Sequence, residues 1–99
     1  MTVVGAGGVV IAKWKKSRRF HKEYDRLSIE PRDRTDARLQ DLVKNPPPPG
    51  LAFEKLKGYA NPDIYTIHVT GNHKVSMEIE DGTAFLWRIA THDEIDLMP

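Results

Sequence analysis

His68, Lys74 and His92 are the side chains of this sequence best suited to moving protons and balancing negative charge. Imidazole both accepts and releases a proton near neutral pH, and an ammonium group beside it can stabilise charge that develops on a reacting anion. Arg88 adds a guanidinium, the usual partner of phosphate. Each residue also has a plainer explanation: His68 as a solvent-facing strand residue, Lys74 as the solvated flank of a turn. His73 belongs with that turn. His68, His73, His92 and Asp93 do not follow H-x-x-x-H or a comparable ligand spacing, so no metal site is expected.

Three strands must carry these groups. Ile64–Thr70 alternates Tyr65, Ile67 and Val69 with Thr66, His68 and Thr70. Gly71-Asn72 signals a tight turn into His73–Glu80, where Val75, Met77 and Ile79 oppose Lys74, Ser76, Glu78 and Glu80. Asp81-Gly82 turns the chain again into Thr83–Ala90. There Phe85, Trp87 and Ile89 form a bulky apolar face, with Ala84, Leu86, Arg88 and Ala90 opposite. Period-2 alternation in a meander buries one face and leaves the other partly open. The open face is expected to display Thr66, His68, Lys74, Ser76 and Arg88, with parity continuing to His92. Phe85, Trp87 and Ile89 are expected in the core.

The first half supplies the cover. Val9–Trp14 reads as a first strand. Ser17 can cap a helix with Phe20, Tyr24 and Leu27 on one side. Glu30-Pro31 interrupts it, and Pro31 can open a second helix with Leu39, Leu42 and Val43 inside. Asn45 and Pro46 to Pro49 end that helix and form a stiff connector. Leu51 and Phe53 look like a docking segment. Gly5, Gly7 and Gly8 precede a strand rather than follow one, which excludes a dinucleotide-binding turn.

Ninety-nine residues without cysteine fit a single domain spanning 1–99, with residues 1–8 as a flexible leader. Met1 to Ala12 lacks a basic segment ahead of its apolar run and is too short to cross a bilayer, so the expected location is the cytoplasm, with no membrane partner. The net charge of +1 conceals a split. Met1–Gly58 holds thirteen Lys/Arg against seven Asp/Glu, and Tyr59–Pro99 holds two against seven. A basic half suits phosphates or an acidic protein, and equally a solvated helical surface.

The order strand, two helices, three antiparallel strands resembles the RelE/ParE superfamily of bacterial toxins. Leu56-Lys57-Gly58 is similar to the family's L-x-G before its second strand. Tyr65-Thr66-Ile67-His68-Val69 resembles Y-x-I-x-V, and Gly71-Asn72-His73-Lys74-Val75 resembles G-x-x-R-V/L. Ile89-Ala90-Thr91-His92-Asp93-Glu94-Ile95 looks like the I-G-T/S-H-x-E-Y ending of HigB-like members. The resemblance runs from about Lys15 to the C-terminus.

It implies an α+β fold: an N-terminal strand and helical hairpin packed on an antiparallel sheet of about four strands. It further implies a type II toxin, a messenger-RNA endonuclease acting on the ribosome without metal or cofactor, restrained by a cognate antitoxin. On this reading His92, Lys74 and His68 are catalytic, while Arg88, Lys57 and Lys55 bind RNA. Lys74 stands where most relatives carry arginine, His68 where RelE-type enzymes carry a strand lysine, and His92 where YoeB- and HigB-types carry histidine. Thr66 replaces a second basic residue, and the tail Ile95–Pro99 lacks the C-terminal tyrosine of several relatives. The superfamily also contains inhibitors of DNA gyrase, and members that mainly bind their antitoxin, so both remain alternatives. Leu86, Leu97 and Met98 are the expected apolar anchors for the antitoxin.

Overall fold

The computed structural model describes residues 10–44, 47–59 and 62–99. The leader assigned to residues 1–8, and the Asn45-Pro46 start of the proline connector, lie outside the described residues. β1 spans Lys13–Lys16, later than the expected Val9–Trp14, and Ala12 N–H joins it to the next hairpin by donating to Gly82 C=O at 2.8 Å. Ser17 caps α1 (Arg18–Asp25) as expected, its hydroxyl accepting from Phe20 N–H at 3.0 Å. α2 spans Ile29–Leu42. It begins two residues before Pro31, which sits in the first turn, where a missing N–H costs no helical hydrogen bond. A 3-10 turn at Pro49–Leu51 follows, then β2 (Glu54–Lys55), β3 (Tyr65–His68), β4 (His73–Glu80) and β5 (Thr83–Thr91). The chain ends in a short helix, α3 (His92–Leu97), in place of the tail expected there.

Among the described residues the sheet has five strands, in the order β1-β5-β4-β3-β2. β1 runs parallel to β5, and the other neighbours are antiparallel. Asp81 and Gly82 both adopt positive φ, 50° and 76°, the geometry of a two-residue hairpin turn whose twist matches the strands. The turn between β3 and β4 is wider. Val69 N–H donates to His73 C=O at 2.9 Å, and the Thr70 hydroxyl accepts from the backbone N–H of Asn72 and His73.

A bulge in β5 corrects the expected division of faces. Ser76 pairs with Arg88 and Met77 pairs with Leu86, so Trp87 is an extra residue. One inserted residue reverses the parity of everything on its far side. Ala84 and Leu86, expected on the open face, are fully buried with Ile67, Val75, Met77 and Ile89. Phe85 and Trp87, expected in the core, are half-buried on the other side. Leu86 is therefore no anchor for a partner.

The core lies between the sheet and the helical hairpin. Phe20 from α1 and Leu39 and Leu42 from α2 are fully enclosed, and Trp14 N–H reaches Leu39 C=O at 3.1 Å. Leu51 and Phe53 dock into the same core as expected. No helix among the described residues is long and apolar enough to cross a membrane.

Candidate functional site

The face opposite the hairpin is built in rows, because residues paired across an antiparallel sheet share a side. His68, Lys74 and Ala90 form one row, and Thr66, Ser76 and Arg88 the next. α3 lies over both. Thr91 and Glu94 start this helix with a reciprocal capping box: Glu94 N–H donates to the Thr91 hydroxyl, and the Glu94 carboxylate accepts from Thr91 N–H. The Thr91 hydroxyl donates to the Glu94 carboxylate at 2.9 Å, and this bond, followed by the one from Thr91 N–H, holds the Glu94 carboxyl below its usual range. Ile95, fully buried, anchors the helix to β4 and β5.

This packing brings the three expected catalytic residues together. His92 opens α3, and its backbone N–H donates to Asn72 C=O at 2.9 Å. Its ring meets that of His68 edge-on, with centroids 4.7 Å apart and planes at 61°. Among the described residues, the buried His92 Nε2 has no hydrogen-bond partner. Burial, followed by the nearby His92 and Lys74, pushes the His68 pKa below its ordinary value of 6.5, which favours the neutral ring. Lys74 lies in the same row, 8% exposed, with Nζ 2.9 Å from Asp96 Oδ1. Asp96 stands four residues after His92, and that spacing sets both on one side of α3.

The second row is held differently. Arg88, expected to bind RNA, is 6% exposed. Its Nη2 and Nε both donate to Glu23 Oε2 on α1, at 2.6 and 3.1 Å, and Nη1 donates to Met98 C=O at 2.8 Å. Glu23 Oε1 also accepts from Ile89 N–H at 3.3 Å, filling the ladder position that β1 leaves open by stopping at Lys16. Arg88 thus staples α1, β5 and the chain end together. Ser76 donates to Pro99 C=O at 3.4 Å, and Thr66 Oγ1 is buried with no partner.

The other expected RNA contacts stand apart. Lys55 pairs in register with Tyr65, giving it the opposite parity to Glu54 and Thr66, and its Nζ is 3.9 Å from Asp63. Lys57 is exposed in the turn before Gly58, whose φ is +86°. Among the described residues no hydrogen bond or ion pair joins either lysine to the histidine pair. His73 belongs to its turn, Nδ1 lying 2.9 Å from the Thr70 hydroxyl. No group of three His, Cys, Asp or Glu side chains that could hold a metal ion occurs among the described residues.

Sequence reasoning missed Asp96 and Trp87. The signal for Asp96 was present, because Thr91-x-x-Glu94 marks a helix start and His92 and Asp96 fall four apart. Trp87 carried none, since a one-residue bulge leaves no mark on composition.

The architecture matches solved structures along nearly its whole length. The fold is that of the RelE-type toxins. The RelB–RelE antitoxin–toxin complex from Methanococcus jannaschii aligns with a TM-score of 0.62 and 24% identity, covering 85% of this chain and 98% of that one. A conserved protein from Helicobacter pylori, solved in solution, aligns with a TM-score of 0.63 at 18% identity, over 86% of this chain and 99% of its own. A copper-bound mutant of a Helicobacter pylori toxin aligns with a TM-score of 0.59 at 18% identity, over 86% and 99%. No family model matches the chain, and no curated protein matches it. The strand-helix-helix-meander order and the sheet behind His68 and Lys74 are thus features of the RelE-type fold.

Proposed function

We propose that this chain is the toxin of a type II toxin–antitoxin pair and cleaves messenger RNA on the ribosome by a metal-independent route. The observation that carries the reading is the His68–His92 contact beside Lys74, with His92 Nε2 lacking a partner among the described residues. In-line attack by a ribose 2′-hydroxyl needs a proton acceptor, a proton donor and a cation, roles that two imidazoles and an ammonium can fill. Neutral His68 takes the 2′-hydroxyl proton as the 2′ oxygen bonds to phosphorus. The bond to the 5′ oxygen breaks, and His92 supplies the proton to that leaving oxygen. Lys74 balances the charge on the phosphorane oxygens, without the bidentate grip an arginine would offer. For this, phosphate must replace the Asp96 carboxylate at Lys74, and the Asp96 side chain is 50% exposed. The partner is a cognate antitoxin. The antitoxin in the Methanococcus jannaschii complex, a neighbour of the same fold, supports that reading.

One observation favours a second reading, non-enzymatic inhibition of DNA gyrase. Lys74 and Arg88, the cations of the two rows, are both already paired with carboxylates of this chain. The deciding assay uses purified protein, message-loaded ribosomes and EDTA. His92→Ala and His92→Asn are each expected to slow cleavage about 10²–10⁴-fold, the usual worth of a proton-transfer group. The cut ends should carry 2′,3′-cyclic phosphate, and EDTA should change nothing. Undiminished cleavage in both variants, or cleavage that EDTA stops, overturns the mechanism. Loss of supercoiling before loss of translation supports the gyrase reading instead.

A further inference from the structure

Beyond the histidine row, the same face opens into a cleft of about 350 Å³ lined by Trp87, Tyr59, Ile64, Arg19 and the Leu97–Pro99 end of the chain. We infer that this cleft holds a nucleobase of the RNA, stacked on Trp87, at a fixed distance from the bond that is cut. The inference rests on the endonuclease reading for its choice of RNA.

Four observations carry it. The β5 bulge turns Trp87 out of the core, and bulges commonly re-aim a side chain next to a functional site. Half-buried, Trp87 makes no hydrogen bond through its indole N–H among the described residues, which leaves an aromatic surface with a spare donor. Tyr59 at 37% exposure and Met98 at 67% give the cleft accessible walls, and its size suits a small planar ligand. Arg19 brings a cation to the rim. Its side chain is 59% exposed, and its Nε is 3.9 Å from a Glu23 carboxylate that Arg88 already engages at 2.6 Å. With exposed Arg18 and Lys22 on the same helix and Arg26 at its C-cap, it forms a basic approach that matches a phosphate backbone.

Ile64, in the wall of the cleft just before β3, and His68, at the end of β3, are four residues apart, about 14 Å along extended backbone. An unstacked RNA strand spans that distance in a few nucleotides. An apolar peptide side chain would also fit the walls, but it would leave the Arg19 rim and the indole donor without counterparts.

The test uses the full chain and a 2′-O-methylated single-stranded RNA, which has no free 2′-hydroxyl and so separates binding from cleavage. Fluorescence anisotropy is read for this strand and for copies made abasic at single positions. Trp87→Ala is expected to weaken binding about 5- to 150-fold, the range for loss of one base–aromatic stack, whereas Trp87→Phe should lose much less. One abasic position should weaken the native protein by a similar factor and add nothing to the Trp87→Ala loss. Unchanged binding by Trp87→Ala, or independent addition of the two effects, overturns the proposal. So does a variant that keeps RNA binding but no longer binds its antitoxin, since the cleft would then be a peptide site.

If Trp87→Ala does not fold, Met98→Glu at the exposed wall replaces it. Met98→Glu should weaken the base-bearing strand more than the abasic one, and equal weakening rejects the cleft. Base-dependent binding without any cleavage of unmodified RNA would retain the cleft and remove the endonuclease reading. Cleavage with no base dependence would do the reverse.

Discussion

On the hairpin side of the sheet, Ile67, Val75, Met77, Leu86 and Ile89 meet Phe20, Leu39 and Leu42, and the buried Thr35 hydroxyl of α2 is satisfied by Pro31 C=O. On the α3 side, Thr66, Lys74, Ser76 and Arg88 are buried almost as deeply, and among the described residues two buried polar atoms there, Thr66 Oγ1 and His92 Nε2, lack a partner, against Arg32 Nε on the helical hairpin. Burying a polar group without a partner costs about 1–3 kcal/mol. A face made only for stability would have avoided that cost with apolar residues. The hairpin side carries the folding energy, and the α3 side gives some of it up to keep reactive groups in a fixed arrangement.

The largest expected stability effect belongs to the hairpin side. Leu86→Ala removes a fully buried side chain and should cost about 2–5 kcal/mol in chemical denaturation. Phe85→Ala, one residue away but half-buried on the opposite side, should cost clearly less. Equal losses would mean that the bulge does not divide the faces as described. Next comes Glu23→Ala, which leaves Arg88 buried without its carboxylate and the Ile89 N–H without an acceptor. A loss of about 3 kcal/mol is expected, and since Arg88 also holds Met98, α3 should loosen with it. Hydrogen exchange in α3 that matches the parent protein would argue against the staple.

The smallest effect is a pH dependence confined to the α3 side. His68 titrates in the fold below its ordinary value of 6.5. As the pH falls, the unfolded chain takes up this proton first, so stability is retained above about pH 6.5 and declines below it until His68 protonates in the fold as well. Thermal melts at pH 7.5 and 5.5 should differ, and His68→Gln should reduce the difference. An unchanged difference would assign the acid sensitivity to other groups.

Much of this organisation is legible in the sequence. The meander could be read because alternation and turn residues agree, and β4 falls on His73–Glu80 as its pattern indicates. Ser17, Phe20, Leu39 and Leu42 announce the hairpin through capping and helical spacing. The grouping of His68, Lys74 and His92 followed from parity along β3 and β4 and from the family resemblance. Where reading failed, the cause was local. The bulge at Trp87 shifts parity by one residue while leaving an apolar alternation that looks unbroken. Arg88 looked like a phosphate ligand because its carboxylate partner, Glu23, is 65 residues away in sequence. α3 went unread because its acidic residues resemble a solvated tail.

The outer strands of the sheet have a consequence for how the chain behaves among copies of itself. β2 is two residues long, and β1 is four, three of them lysine. Exposed sheet edges invite strands of other molecules to pair with them, and short, cationic edges discourage it. Two copies meeting edge to edge along β1 would set lysine against lysine, which disfavours that pairing. A segment able to extend the sheet on that side would have to bring carboxylates in register with Lys13, Lys15 and Lys16.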